Sequence, residues 1–458
     1  MFVGRKSEIA ELERRYGQTG FQFPVVYGRR RVGKTRLIQE FCGSKRSVYF
    51  MATKQTSREN LKNFSMAVKE QLDDDRTRFL DSFASWDSAF SYVTEISKNE
   101  RLVLVIDEYP YLAESEKPIS SVIQKFIDSE WKNTQLYLIL CGSSMSFMEE
   151  QVLEYGSPLY GRRTAQLKIH PLKYYEAFEF FPNWNRIEKF YAYGICGGIP
   201  LYLEYFSRYG NLKDAVCGEF LSLSGHLGEE PMNLMSQELR EPAFYNTIIS
   251  VISRGATKQN EIASAAGEES NRITAYLRNL ISLEIIEKVS PIETHGKKVV
   301  YKIKDNLFKF YFSFIPKCSA LVAMGLGETA YERKILPLMD DFFGHVFEDV
   351  CMQFLKRSVA EGKIETVYSD YGSWWGNNPK EKREEEIDIV LAGDEEILVG
   401  ECKWRNGKVG SDVLNLLKAR GELVRKNRRI SYVLFSKSGF DESVEAAENV
   451  LLFSSDDL

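Results

Sequence analysis

A chain of 458 residues is too long for one hydrophobic core and fits about two to four domains. Hydrophobic residues at 44% and charged residues at 27% exclude disordered and fibrous classes. The net charge of -5 excludes a protein that coats nucleic acid through bulk positive charge, so any DNA contact must be local.

The seven cysteines (Cys42, Cys141, Cys196, Cys217, Cys318, Cys351, Cys402) are odd in number, far apart and never in a Cys-x-x-Cys pair. That pattern argues against a disulfide frame or zinc knuckle and for reduced thiols in a cytoplasmic protein. No apolar leader precedes the first charges. The longest apolar run, "LFKFYFSFIPKCSALVAMGLG", is interrupted by Lys309, Pro316 and Lys317, so neither secretion nor a membrane partner is expected.

In chain order, "FPVVYGRRRVGKTRLIQEF" passes from a β-branched run through Gly28-Arg29-Arg30-Arg31-Val32-Gly33-Lys34-Thr35-Arg36 into helix-favouring residues. This is G-x-x-x-x-G-K-[ST] in its strand-loop-helix setting, a nucleotide-binding P-loop for ATP. Gly28 and Gly33 let backbone N–H groups fold around a β-phosphate at a helix N-terminus. Lys34 would reach the β- and γ-phosphates, and the Thr35 hydroxyl would hold Mg²⁺. The apolar strand "RLVLVIDEYPYL" ends in Asp107, expected to orient the Mg²⁺ water shell, and Glu108, placed to polarise an attacking water. "QLYLILCGSSMSF" offers Ser143 or Ser144 as a γ-phosphate sensor. "SPLYGRRTAQLKIHPL" places Arg162 and Arg163 before another strand, either as a finger reaching a neighbouring subunit's phosphate, which implies a homo-oligomer, or as a surface loop.

Five apolar strands ("FPVVY", "SVYFM", "LVLVI", "QLYLIL", "TAQLKI") alternate with helix-length segments, which predicts an α/β fold with a parallel sheet covered on both faces. These motifs resemble the archaeal-type ATPases of the STAND and AAA-like group of P-loop proteins. The resemblance implies an ATPase core over 1–170 and a helical lid over 171–235, with Gly198 and Pro200 of "GGIPLYL" as the lid's Gly-x-Pro motif.

From 236 to 310 the pattern changes. Ile262 and Ala263 fall on one short helix, and Ile273, Tyr276, Leu277, Leu280 and Ile281 on another; "IIEKV" and "KKVVYKI" follow as strands around His295 and Gly296. Helix, turn, helix and β wing make a winged helix-turn-helix. Asn271, Arg272, Thr274 and Arg278 are its candidate DNA contacts, with Lys297, Lys298, Lys302 and Lys304 on the wing. Residues 245–305 carry nine Lys and Arg against seven Asp and Glu, so a protein-docking role stands equally beside DNA reading.

After a linker at 311–335, aromatic-rich from its start and read as a packed helix or bridge into the last domain, and a long helix bearing Glu348, comes the hairpin "EEIDIVLAGDEEILVGECKW". A turn at Asp394 and Glu395 sets Asp388 opposite Glu401, with Lys403 on the same face. Two adjacent carboxylates call for a divalent cation, Mg²⁺ or Mn²⁺, and Lys403 could steady a phosphorane-like charge. Asp-x(12)-Glu-x-Lys behind a glutamate-bearing helix resembles the PD-(D/E)XK restriction-endonuclease-like nucleases. Together with "FED" upstream and "LFSKSGF" downstream, it also resembles the C-terminal domain fused to these archaeal-type ATPases. The resemblance assigns Asp388, Glu401 and Lys403 to catalysis and Glu348, Asp388 and Glu401 to metal, within a domain over 336–458. Ile387 stands where such nucleases usually carry proline.

Residues 331–458 hold 18 Lys and Arg against 25 Asp and Glu, leaving "VRKNRR" at 424–429 and Arg405 with Lys408 as the local basic patches. Trp374 and Trp375 are candidates for base stacking or core. The expected function is ATP hydrolysis coupled to a metal-dependent nuclease acting on nucleic acid, DNA before RNA. The alternative is a signalling or scaffold ATPase with an inactive C-terminal binding module.

Overall fold

Burial decides the first sheet. The computed structural model describes residues 2–72, 81–293, 298–365 and 368–458. The chain divides into two units, Met1–Leu172 with Ile199–Leu201, and Lys173–Gly198 with Tyr202–Leu458. In the first, β1 (Pro24–Tyr27), β2 (Ser47–Met51), β3 (Leu102–Asp107), β4 (Leu136–Gly142) and β5 (Ala165–Lys168) form one parallel sheet in the order β2-β3-β4-β1-β5. Every residue of β1, β3 and β4 is buried, which is why these strands read as continuous apolar runs. Helix α1 (Lys34–Cys42) leaves the loop after β1 and buries Leu37, Ile38 and Phe41.

In the second unit, α2 (Arg186–Cys196) precedes α3 (Pro242–Ser253), α4 (Gln259–Ala266) and α5 (Ser270–Ser282), then the antiparallel pair β6 (Ile286–Val289) and β7 (Val300–Ile303). Gly267, at φ 70°, ends α4 in the left-handed region and turns the chain into α5. Ile262, Ile273, Leu277 and Leu280 share one core with Phe308 and Phe312, as their spacing predicts. His295, Gly296 and Lys297 lie outside the described residues. The segment 311–335 is helical. α6 (Asn306–Ala323) runs through its first half, with Asp305 accepting a hydrogen bond from the Phe308 N–H (2.9 Å) as N-cap, and short helical turns fill the rest. The alternate aromatics Phe308, Phe310, Phe312 and Phe314 are all buried there.

Helix α7 (Met339–Ala360) leads into β8 (Asp370–Asn378), β9 (Arg383–Ala392) and β10 (Glu396–Lys403), an antiparallel meander. A crossover through α8 (Ser411–Gly421) adds β11 (Arg429–Ser436) and then β12 (Val450–Ser454) in parallel, giving the order β12-β11-β10-β9-β8. Trp404, directly after β10, is buried among Phe190 and Tyr191 of α2 and Phe343 and Phe347 of α7, with ring centroids 4.5–5.9 Å apart. All seven cysteines are free thiols; six are buried and Cys217 is half-buried. Among the described residues, no helix is long and apolar enough to cross a membrane.

Candidate functional site

The residues expected to bind nucleotide gather where β1, β3 and β4 end at one edge of the parallel sheet. Gly28 is required by space, since a Cβ there would lie 2.4 Å from the Ile169 carbonyl oxygen. Gly33 takes φ 90° and starts α1. The buried Lys34 ammonium donates to the carbonyls of Gly28 (2.7 Å) and Arg29 (2.9 Å), spanning the loop that a phosphate would fill. Burial holds this lysine below its ordinary range, against the pull of Cys141, Glu108 and Asp107. Arg5 ties the loop from outside by donating to the Val32 carbonyl (2.7 Å), and Arg30 donates to the Tyr111 hydroxyl (2.6 Å). Arg31 adopts φ 69° within the loop, and Arg36 points out along α1, 3.9 Å from Glu40.

Asp107 is the hub. The Thr35 hydroxyl donates to its Oδ2 (2.9 Å), the Tyr49 hydroxyl of β2 donates to the same oxygen, and its Oδ1 accepts from the Glu108 N–H (2.9 Å). A hydroxyl and a carboxylate oxygen side by side at a helix N-terminus are the donors a hard cation takes, so Thr35 and Asp107 fit Mg²⁺ bound with a nucleotide. Such a cation would neutralise charge on the phosphates. Tyr49 carries no motif signature; only the parallel pairing of β2 with β3 brings it to Asp107.

Glu108, at φ 50°, accepts from the Ser143 hydroxyl (2.8 Å). Ser143, expected to sense a phosphate, here holds the carboxylate expected to polarise water. Arg162 is engaged by Asp128, with Nη2 2.6 Å from Oδ2, and by the Pro158 carbonyl (2.9 Å); Arg163 donates to the Leu153 carbonyl (3.3 Å).

In the C-terminal sheet the hairpin turns at Asp394 and Glu395, and the ladder pairs Val399 with Val390 and Gly400 with Ile389. That register places Glu401 across from Asp388, as expected. Asp388 Oδ2 accepts from the Cys402 N–H (2.9 Å). Burial, then the neighbouring Glu401 and Glu348 carboxylates, push Asp388 up to about 7. Lys403 donates to Glu401 Oε1 (2.6 Å); burial pulls its ammonium down, but Glu401 outweighs it and holds it above its usual range. Sequence reasoning missed Arg420 of α8, which lies 3.4 Å from Glu401 Oε2 and donates to the buried Glu385 (2.9 Å), itself bound by Arg383 (2.7 Å).

Both Glu401 oxygens face cations, Glu348 sits beside His345 (3.6 Å), and among the described residues no group of three His, Cys, Asp or Glu side chains is arranged to hold a metal ion.

On the wing, Lys298 pairs with Glu384 (3.4 Å), Lys304 with Glu284 (3.6 Å), and Lys302 lies over the Trp375 ring (5.9 Å), while all three side chains stay exposed. Trp374 packs against the C-terminal core. On α5, Thr274 accepts from Gln259 (2.9 Å) and Arg272 pairs with Glu268 (3.0 Å), while Asn271 and Arg278 are exposed.

Residues 2–206 match a family described as an ATPase domain predominantly from Archaea, and residues 311–418 match one described as archaeal and bacterial proteins of unknown function. An uncharacterised protein of Methanocaldococcus jannaschii is 32% identical over 468 aligned positions, covering 100% of both chains. An uncharacterised ATP-binding protein of the same organism is 48% identical over 46 residues, 10% of this chain and 78% of its own length. Among solved structures, a Walker-type ATPase of Pyrococcus abyssi has a TM-score of 0.54 at 19% identity, covering 68% of this chain and 96% of that one, a likeness of fold. With an archaeal-type ATPase domain over residues 2–206 and the P-loop, Asp107 and Glu108 assembled on its parallel sheet, the chain is an ATPase, and it belongs to the same family as the uncharacterised M. jannaschii protein that it matches end to end.

Proposed function

We propose that ATP binding and hydrolysis in this protein control a C-terminal domain that acts on nucleic-acid phosphodiesters, DNA in the first instance. The observation that carries the reading is the convergence of Asp388, Glu401 and Lys403 on one hairpin face. An ammonium beside two acids, one of which titrates near neutrality, can face a phosphoryl oxygen while the other groups move a proton. The ion pairs on Glu401 separate this proposal from a preformed metal centre; a requirement for Mg²⁺ or Mn²⁺ would mean that Glu401 exchanges Lys403 or Arg420 for the cation. The test is incubation of the full chain with linear, circular and single-stranded DNA and with RNA, with and without Mg²⁺ or Mn²⁺ and ATP. Cleavage lost in Asp388→Ala supports the reading. Intact substrates in every lane end it.

One observation favours a second reading. Glu401 is already neutralised by Lys403 and Arg420, as in a structural ion cluster. A signalling or scaffold ATPase with an inactive C-terminal module would keep its functions in Glu401→Gln, and its homo-oligomer would change size with ATP in light scattering.

A further inference from the structure

The densest basic run of the C-terminal domain, Arg425, Lys426, Arg428 and Arg429, lies at the turn from α8 into β11. The Arg428 guanidinium is held in place by the backbone, donating through Nη2 to the Val424 carbonyl (2.7 Å) and through Nε to the Arg425 carbonyl (3.2 Å). Its outer edge meets Glu293 of the wing, with Nη1 to Oε1 at 2.6 Å and Nη2 to Oε2 at 3.0 Å. Lys426 Nζ adds a third contact, 3.1 Å from Oε2. Two parallel N–H donors on two oxygens is the fork that a guanidinium offers equally to a carboxylate or a phosphate.

Glu293 is brought there by a deliberate attachment. The neighbouring Ile292 N–H donates to the Ser373 carbonyl (3.0 Å), and its side chain, 6% exposed, joins the apolar cluster of Ile387, Val399 and Leu417. Left-handed backbone at non-glycine positions appears on both sides of the contact, at Glu293 (φ 63°), Lys426 (φ 46°) and Asn427 (φ 66°). Burial raises the Glu293 carboxyl, but Arg428 and Lys426 outweigh this and hold it below the usual range.

We propose that Arg428 and Lys426 form a phosphate-binding site for a nucleic-acid backbone, and that Glu293 occupies it as an internal carboxylate standing in for the phosphate. The proposal rests on the nucleic-acid reading above, while the ligand class follows from the guanidinium and ammonium themselves. Arg428 Nη1 lies 3.5 Å from the Gly393 carbonyl, at the turn end of the hairpin that carries Asp388 and Glu401 at its other end. At about 3.3 Å per residue the five residues from Gly393 to Asp388 span about 17 Å, or about five backbone steps of duplex, so one strand can reach both places. A phosphate seated on Arg428 takes the place of Glu293 and leaves Ile292 as the wing's apolar attachment.

The test uses the full chain, a fluorescein-labelled oligonucleotide and inorganic phosphate. Glu293→Gln, which keeps the shape and removes the charge, should bind the oligonucleotide about tenfold more tightly, with a salt dependence steeper by about one phosphate contact. Arg428→Ala placed on that background should abolish the gain. Melting temperature controls for the fold, and unchanged affinity in a folded Glu293→Gln chain overturns the site. A rise in melting temperature with inorganic phosphate alone, without oligonucleotide binding, identifies free phosphate as the occupant and keeps the site. Cleavage that depends on Asp388, with affinity unchanged in Glu293→Gln, removes this proposal and leaves the nuclease reading; tighter binding without cleavage in any form does the reverse.

Discussion

Tyr49 and Asp388 each draw their role from neighbours that are distant in sequence. The Tyr49 hydroxyl donates to the same Asp107 oxygen as Thr35, so it fixes the carboxylate that would orient the water shell of a nucleotide-bound cation. Removing one charge-assisted hydrogen bond in Tyr49→Phe should lower kcat for ATP hydrolysis about tenfold, with nucleotide affinity nearly unchanged. Equal loss of kcat and affinity would mean that Tyr49 supports the loop and not the acid. For Asp388 the folded chain titrates near 7 and the unfolded chain near 3.8. Between these values the folded state keeps a proton that the unfolded state has lost, so stability falls as pH rises through the window and levels off above it. Asp388→Asn cannot ionise and should be more stable than the native chain above about 7, by on the order of 1–3 kcal/mol, with the difference vanishing toward 3.8. Urea unfolding across that range checks the slope.

At the scale of elements, what was legible in the sequence depended on how local its signal was. Strands β1, β3 and β4 of the first sheet stood out because continuous burial leaves a continuous apolar run, and the C-terminal hairpin register followed from the turn at Asp394 and Glu395. The P-loop was legible for the same reason, since its glycines answer to local backbone geometry. The partners of charges were not. Glu293 meets Arg428 from 135 residues away, and Arg420 meets Glu401 across a helix-to-strand crossover, and no local spacing announces either. Trp404 is a further case: nothing in its position after Lys403 singles it out, yet it joins the end of β10 to α2 and α7. Trp404→Ala should cost about 3–5 kcal/mol in chemical denaturation, the usual cost of emptying a buried aromatic site. A loss below about 1 kcal/mol would show that the surrounding rings close over the gap.

For the whole molecule, nucleotide binding has a defined thermodynamic signature. A ligand that binds only the folded state at 100 times its Kd adds about 2.7 kcal/mol, so ATP with Mg²⁺ should raise the melting temperature of the native chain. Lys34→Ala, which removes the ammonium spanning the loop, should melt at the same temperature with or without ATP. A shift in that variant equal to the native one would place the nucleotide elsewhere. The thiols add a practical property of the intact fold. Burial raises the Cys42 and Cys217 thiols to about 11 and lifts those of Cys141, Cys196 and Cys402 well above their ordinary value. Thiolate is the form that reacts with maleimides and iodoacetamides, so the native protein is nearly silent toward such dyes. A cysteine introduced at one exposed position could therefore carry a fluorophore without stripping out the seven already present, opening the protein to single-molecule distance measurements during turnover.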